Sequence, residues 1–263
     1  MPNTATMIAA DDGAKLNVQV DGREGAPVLM FSNSLGTNLH MWDEQTAALG
    51  DRFRIIRYDR RGHGKSDAPK GPYTMERLGL DVLSILNALK IDKINWCGLS
   101  MGGMVGQWLG VNAPQRINKL ILSNTSACYV DKAPWNDRIK TVREKGLASM
   151  VDGNMLRWFT PGFVASAPQA IAKMKEMFVA TPPEGYIACC EAIRDMDFRD
   201  SNPKISVPTL VIVGAHDPAT TPAVGEALCK SIPGAQMVTL DASHISNVEQ
   251  PRAYTDAVVK FIG

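Results

Sequence analysis

Short apolar runs recur along the chain from residue 28 onward and alternate with segments of helical spacing. Near-continuous hydrophobicity is what strands buried on both faces of a parallel sheet require. Nearer the start, two partly alternating segments flank the turn signal "DDG" and predict an antiparallel hairpin. The pattern predicts an α/β fold, with a mostly parallel sheet and helices on both faces. The hairpin segments are TATMIAA and KLNVQVDG, and the apolar runs are PVLMFS, FRIIRY, KINWCG, KLILSN, PTLVIVG and QMVTL.

The regular alternation of strands and helices stops between residues 131 and 203. This stretch carries helical patterns broken by prolines, and it contains no convincing strand. We therefore expect an inserted helical cap, residues 131–203, within a discontinuous core formed by residues 1–130 and 204–263. A chain of 263 residues is within the range of one large α/β domain.

The charge balance changes the picture by excluding several kinds of partner. Lys and Arg total 28 against 27 for Asp and Glu, so no net positive field attracts nucleic acid or an anionic membrane. No leader-like segment and no run of 18 apolar residues occurs. The five cysteines never have C-x-x-C spacing, which argues against a disulfide framework or a metal site. We expect a cytoplasmic protein with a small-molecule partner, and the oligomeric state is not predicted.

The segment "GLSMG" has G-x-S-x-G spacing, with Gly98, Ser100 and Gly102 directly after a predicted strand and before a helix rich in small residues. A nucleophile elbow needs glycines on both sides of the serine, because side chains there would collide with neighbouring elements. The alternative is an ordinary glycine-rich turn with an idle serine. The context favours Ser100 as a nucleophile.

A serine nucleophile needs a histidine base, and in this type of fold the base follows the serine and the acid in the chain. Of the four histidines, His40 and His63 precede the serine, and His216 lies beside the leading acid candidate. His244 follows the last predicted strand, where a loop can present it to the serine. The sequence therefore predicts His244 as the base, against the alternative of a solvated loop histidine.

The acid that orients the base is predicted to be Asp217, which lies just beyond a strongly apolar strand. Asp241 lies too near the end of the strand before the histidine. Asp131 would place the acid after an earlier strand, a variant found in some such folds. The charged segment "DRRGHGKS", residues 59–66, is expected to shape a turn under the site and not to react.

Attack on a carbonyl leaves negative charge on its oxygen, which two backbone N–H groups can stabilise. Met101 follows the nucleophile and is predicted to supply one of them. The turn "SNSLG" after the third strand is predicted to supply the other, from Ser34 or, less favoured, from Leu35. The alternative for this segment is a tight turn without a ligand role.

Six segments of the chain carry a resemblance to a known family: SNSLGTNLHMW, RYDRRGHGKSDAPKGPYT, CGLSMGGMVGQWLG, RWFTPGF, GYIACCEAI and LDASHISNVEQ. Through them the chain resembles the α/β-hydrolase superfamily, and specifically the 3-oxoadipate enol-lactonase family. That resemblance implies a carboxymethyl-bearing five-membered enol-lactone as substrate, opened by water to 3-oxoadipate in the β-ketoadipate pathway of aromatic catabolism, without metal or organic cofactor. Other small-ester hydrolases, perhydrolases and non-enzymatic ligand receptors on the same fold remain alternatives.

The implied substrate carries a carboxylate, and a buried anion needs a paired cation or several donors. The cap offers three candidates, in the order Trp135, Arg157 and Arg138. An indole N–H is a single donor, whereas a guanidinium offers a fork of donors. The alternative is that the tryptophan only packs and the arginines only face solvent.

Overall fold

The computed structural model describes residues 4–263, and its centre is one eight-stranded sheet. The order of the strands is β1-β2-β4-β3-β5-β6-β7-β8; β1 and β2 pair antiparallel, as do β2 and β4, and the remaining pairs are parallel. Each predicted apolar run forms a strand, and the two N-terminal segments form the predicted hairpin. The strands are β1 Thr4–Ala9, β2 Lys15–Gly22, β3 Val28–Ser32, β4 Arg54–Tyr58, β5 Ile94–Leu99, β6 Ile117–Ser123, β7 Thr209–Gly214 and β8 Gln236–Leu240.

Helices cover both faces of this sheet. They bury every residue of strands β5 and β7. Helix α3 packs on α2, and α1 packs on α11. The predicted fold class, a mostly parallel sheet with helices on both faces, is confirmed. The helices are α1 Asp43–Leu49, α2 Met75–Ala88, α3 Met101–Asn112, α4 Ala133–Lys145, α5 Val151–Trp158, α6 Pro161–Ser166, α7 Pro168–Val179, α8 Pro183–Asp195, α9 Pro222–Ser231, α10 Ser246–Glu249 and α11 Pro251–Ile262.

The strand order reverses direction at β3, which lies between β4 and β5. Its last residue, Ser32, pairs with Gly98 of β5, so the loops after these two strands leave the sheet side by side. Gly214 of β7 likewise pairs with Leu240 of β8. Loops that follow parallel strands around such a reversal enclose a crevice, and crevices of this kind bind ligands.

Five helices, α4–α8, lie between β6 and β7, within the range predicted for the cap. The two stems of this insertion pair through an antiparallel bridge between Cys128 and Asp197. Beyond α5, the carbonyl of Trp158 accepts a hydrogen bond from the Ile245 N–H at 3.0 Å, which ties the cap to the loop after β8. The division of the chain into core and cap domains stays a prediction.

Among residues 4–263, no helix has both the length and the apolar character that a membrane span requires.

Candidate active site

Ser100 occupies a sharp turn between β5 and α3, with φ 56° and ψ −114°. A positive φ is unusual for a residue with a side chain, and it projects Ser100 out of the line of the strand. The flanking glycines are required by contact: a Cβ on Gly98 would lie 2.1 Å from the carbonyl oxygen of Gly102, and one on Gly102 would lie 2.2 Å from that of Ser32. The sequence therefore folds into a strained turn that only glycines can flank.

The structure brings together the three side chains predicted to act as nucleophile, base and acid. The Nε2 atom of His244 lies 2.9 Å from the Oγ of Ser100, and its Nδ1 lies 2.8 Å from Oδ2 of Asp217. All three residues are buried. With the Nδ1–H directed at the carboxylate, Nε2 is left to accept the serine proton.

Asp217 is held by neighbours that stabilise its charged form. Its carboxylate accepts hydrogen bonds from the Thr220 hydroxyl at 2.6 Å, from the Ala219 N–H at 2.8 Å and from the Asn124 side-chain amide at 3.0 Å. Burial by itself raises the pKa of Asp217, but the charge of His244 and hydrogen bonds from His244 and Thr220 outweigh burial and lower the pKa to about 2. Asp217 is therefore a carboxylate throughout the physiological pH range.

The other acids and histidines considered from the sequence make different contacts. Asp241 is exposed and pairs with His216 at 2.7 Å, so both residues bond locally. Asp131 accepts the Ala133 N–H at 2.9 Å, at the start of α4. His40 lies on the surface.

The turn after β3 has its N–H groups directed differently from the sequence prediction. The Ser34 N–H donates to the Sδ of Met41 at 3.3 Å, so it is already engaged. The N–H groups of Leu35 and Met101 have no acceptor anywhere in residues 4–263. This arrangement does not support the ranking of Ser34 above Leu35, because of these two N–H groups the one without an acceptor in residues 4–263 is that of Leu35.

His63, from the segment after β4, binds the N–H that follows Leu35 in that turn. Its Nε2 accepts the N–H of Gly36 at 2.9 Å, which requires a neutral ring nitrogen. Complete burial, and then the charge of Arg60, lower the pKa of His63 to about 3. His63 thus supports the turn as a permanently neutral acceptor.

A cavity of about 320 Å³ lies between this turn, Ser100, His244 and the cap. All three residues predicted to bind the substrate carboxylate, Trp135, Arg138 and Arg157, line this cavity. Its position therefore places the predicted binding residues over the predicted nucleophile.

The two arginines of this cavity have no acidic partner among the described residues. Arg138 donates from Nη1 to the Tyr186 hydroxyl at 2.5 Å and to Asn154 Oδ1 at 3.2 Å, and its guanidinium lies 5.6 Å from the centre of the Trp135 ring. No carboxylate of residues 4–263 lies within 4.0 Å of either arginine. Burial, and then repulsion by Arg138, lower the pKa of Arg157. Two neighbouring cations of the cavity wall therefore have no carboxylate in contact within residues 4–263.

Sequence reasoning missed two residues that hold the carboxylate of Asp217, Thr220 and Asn124. Asn124 directly follows the apolar run of β6. Its place at the carboxyl edge of the sheet could have identified it as a site residue from the sequence. Thr220 lies three residues after the acid and had no distinguishing pattern.

Within residues 4–263, no cluster of three or more His, Cys, Asp or Glu side chains is arranged to hold a metal ion.

Comparison with known proteins agrees with this geometry. The family model for the alpha/beta hydrolase fold matches residues 27–251. The chain belongs to the α/β-hydrolase family. This hydrolase is 45% identical over 251 residues to 3-oxoadipate enol-lactonase 2 of Acinetobacter baylyi, covering 95% of this chain and 94% of the relative.

Solved structures give the same result for this hydrolase. The crystal structure of the enol-lactonase from Burkholderia xenovorans LB400 has a TM-score of 0.96 at 46% identity, covering 98% of this chain and 99% of that one. A thermophilic esterase from Thermogutta terrifontis, solved with malate bound, has a TM-score of 0.91 at 31% identity, covering 100% of this chain and 98% of that one. The resemblance to the enol-lactonase family is confirmed.

Proposed function

We propose that this hydrolase opens the five-membered enol-lactone of 3-oxoadipate with water, which yields 3-oxoadipate in the β-ketoadipate pathway. The observation that carries the proposal is one cavity that holds both a hydrogen-bonded Ser100–His244 pair and two arginines without acidic partners. A neutral ester needs only the first of these features, whereas a lactone with a carboxymethyl group needs both. The enol-lactonase relatives at 45–46% identity support the same substrate.

In the first half of the proposed reaction, Ser100 Oγ attacks the ring carbonyl carbon while His244 Nε2 takes its proton. Asp217 keeps the Nδ1–H in place and stabilises the imidazolium that forms. The carbonyl oxygen becomes an oxyanion, and the N–H groups of Leu35 and Met101 are its proposed donors. Because neither N–H has another acceptor in residues 4–263, both are available at the moment when charge develops.

Collapse of the tetrahedral intermediate breaks the ring C–O bond and leaves an ester on Ser100. The leaving enol oxygen stays tethered to the acyl group, and His244 returns the proton to it. The enol then converts to the ketone. Water, deprotonated by His244, attacks the ester carbonyl, and Ser100 leaves with the proton, which releases 3-oxoadipate.

The substrate carboxylate is proposed to bind between Arg138 and Arg157, with the indole N–H of Trp135 as a further donor. Arg138 has one nitrogen occupied by Tyr186 and Asn154, which fixes the orientation of the guanidinium and leaves its other donors for the ligand. Asp131 also lines the cavity, so its wall carries one acidic side chain besides the two arginines. Binding of the carboxylate at one end of the substrate orients the ring carbonyl, at the other end, toward Ser100.

The experiment that tests this function follows the loss of ultraviolet absorption as the purified protein opens the enol-lactone. The control substrates are a neutral lactone of similar size and p-nitrophenyl acetate. We expect kcat/KM for the enol-lactone to exceed that for either control by at least about 100-fold, since a charge-assisted contact contributes about 1.5–3 kcal/mol and correct orientation adds to it. A higher kcat/KM for the aryl ester would favour a general esterase, and a few turnovers per hour on every substrate would favour a ligand receptor.

A further inference from the structure

Arg60 is a buried cation that has no anionic partner in the part of the chain that the structure describes. It is 1% exposed, and no carboxylate of residues 4–263 lies within 4.0 Å of its guanidinium. The adjacent Asp59 directs its carboxylate elsewhere, to Asn17 at 2.8 Å and to the Leu39 N–H at 2.8 Å. A buried charge without a counter-ion is unfavourable for folding, so the contacts that Arg60 does make need an explanation.

Those contacts are with the main chain of the turn after β3 and, at 3.5 Å, with the hydroxyl of Ser32. Nη2 of Arg60 donates to the carbonyl of Asn33 at 2.5 Å, and Nη1 donates to the carbonyl of Ser34 at 3.2 Å. The Nε atom is buried without an acceptor among the described residues. The guanidinium therefore holds two consecutive peptide groups of the turn, while its own Nε–H stays without a hydrogen bond among the described residues.

The carbonyl of Ser34 and the N–H of Leu35 belong to the same peptide group. In a trans peptide, these two groups point in opposite directions. The Ser34 carbonyl accepts from Arg60 and also from the Thr37 hydroxyl at 2.9 Å, so the N–H of Leu35 points to the other side, toward the cavity that Leu35 lines with Ser100. Polarisation of the carbonyl by the charge also strengthens the N–H as a donor.

The neighbouring contacts leave the N–H of Leu35 without an acceptor among the described residues, between two N–H groups that are engaged. The N–H before it is bound to Met41, and the N–H after it is bound to His63. The carbonyl of Asn33, held by Arg60, also accepts the Gly102 N–H at 3.1 Å, next to Met101 on the nucleophile turn. Arg60 thus links the two turns that carry the proposed oxyanion donors.

We propose that Arg60 is a positioning residue that aims and polarises the Leu35 N–H for the oxyanion. The proposal rests on the function proposed above, because it takes Leu35 as an oxyanion donor. Arg60 contacts neither the nucleophile nor the base, and its proposed effect on the oxyanion passes through the peptide group of Ser34 and Leu35.

The test compares Arg60→Lys and Arg60→Met with the wild-type protein. Lysine keeps the charge but can bind only with one nitrogen, and methionine removes both the charge and the donors. Arg61→Lys is the matched control, because Arg61 is an equally buried neighbour whose guanidinium pairs with Asp81 at 2.5 Å and Asp12 at 2.9 Å. Active sites are counted with a p-nitrophenyl phosphonate, which releases one p-nitrophenolate per reactive serine, and kcat is given per active site.

We expect kcat to fall about 10- to 100-fold for Arg60→Lys and at least about 100-fold for Arg60→Met, on the enol-lactone and on p-nitrophenyl acetate alike, since loss of one oxyanion donor lowers kcat by about 10²–10³. The inhibition constant of adipate, a carboxylate that does not form an oxyanion, should change less than about twofold. If kcat per active site falls no more than in Arg61→Lys, or if adipate binding weakens in parallel with kcat, the proposal is wrong. A wild-type protein that hydrolyses the ester and not the lactone would overturn the proposed substrate, and the ester measurements would still decide the role of Arg60.

Discussion

The Oδ2 atom of Asp217 lies 2.8 Å from Nδ1 of His244, on the opposite side of the imidazole from Ser100. The contact joins loops from β7 and β8, which are neighbours in the sheet. It fixes one tautomer of the ring and leaves the other nitrogen facing the nucleophile.

Replacing Asp217 with Asn should therefore lower kcat by about 10³–10⁴-fold, because an amide at this position favours the wrong histidine tautomer. Asp241→Asn and Asp131→Asn are the matched controls, and each should change kcat less than about threefold. Steady-state rates on the enol-lactone measure all three. If either control variant lost more activity than Asp217→Asn, the assignment of the acid would be wrong.

The carboxylate site predicts a difference between charged and neutral substrates. Arg138→Met or Arg157→Met should lower kcat/KM for the enol-lactone by about 10- to 100-fold, equivalent to about 1.5–3 kcal/mol, and should barely change kcat/KM for a neutral lactone of similar size. Trp135→Phe, which keeps the ring and removes the N–H, should have a smaller effect in the same direction. Equal losses on both substrates would show that these residues only hold the cap together.

Neutral His63 predicts a dependence of stability on pH. Its pKa in the folded protein is about 3, below the ordinary value of 6.5, so between these values the unfolded chain binds a proton that the folded protein does not. The free energy of unfolding should fall as the pH falls below 6.5, by up to about 1.4 kcal/mol per pH unit from this residue.

Denaturant unfolding between pH 7.5 and 4.5 measures this slope. His63→Gln can still accept the Gly36 N–H and cannot titrate, so it should flatten the slope even if its stability at pH 7.5 is lower. His40→Gln, which removes an exposed histidine that lies 3.2 Å from Asp43, is the control for the loss of a histidine as such. Identical slopes in wild type and His63→Gln would contradict the placement of a neutral histidine under the turn.

The flanking glycines of Ser100 predict a strong effect on folding. A Cβ on Gly98 or Gly102 would lie near 2 Å from a backbone oxygen, which cannot move as a side chain can. Gly98→Ala should lower the free energy of unfolding by at least about 3 kcal/mol or prevent folding, since overpacking against backbone ranks among the large mutational effects. Gly162→Ala is the control, because nothing lies within 4 Å of its added Cβ. Equal stability of the two variants would contradict the geometry of the turn.

The apolar runs predicted the strands because a strand buried on both faces needs apolar side chains at nearly every position. The positions of Ser100, Asp217 and His244 also followed from the sequence, since loops after neighbouring parallel strands end at one edge of the sheet. The choice between Ser34 and Leu35 did not. It depends on the Sδ of Met41 and on the guanidinium of Arg60, and contacts between separate loops leave no periodic pattern in a sequence.

The cap illustrates a different limit. Its helical character was predictable from the loss of strand pattern and from the prolines, and its bounds, residues 131–203, stay a prediction. The absence of an acidic partner for Arg138 and Arg157 was not predictable, because it depends on which carboxylates the packed helices place within reach. A count of charges along the chain, 28 basic against 27 acidic, conceals this local imbalance.

The measurement that tests the central claim most directly is turnover of the enol-lactone by Ser100→Ala. The wild-type protein and the variant are assayed side by side, with circular dichroism to establish that both are folded. We expect turnover to fall by at least about 10⁴-fold, because the oxyanion donors remain and only covalent catalysis is lost. A folded Ser100→Ala variant that keeps a tenth of wild-type turnover would contradict catalysis through an ester on Ser100.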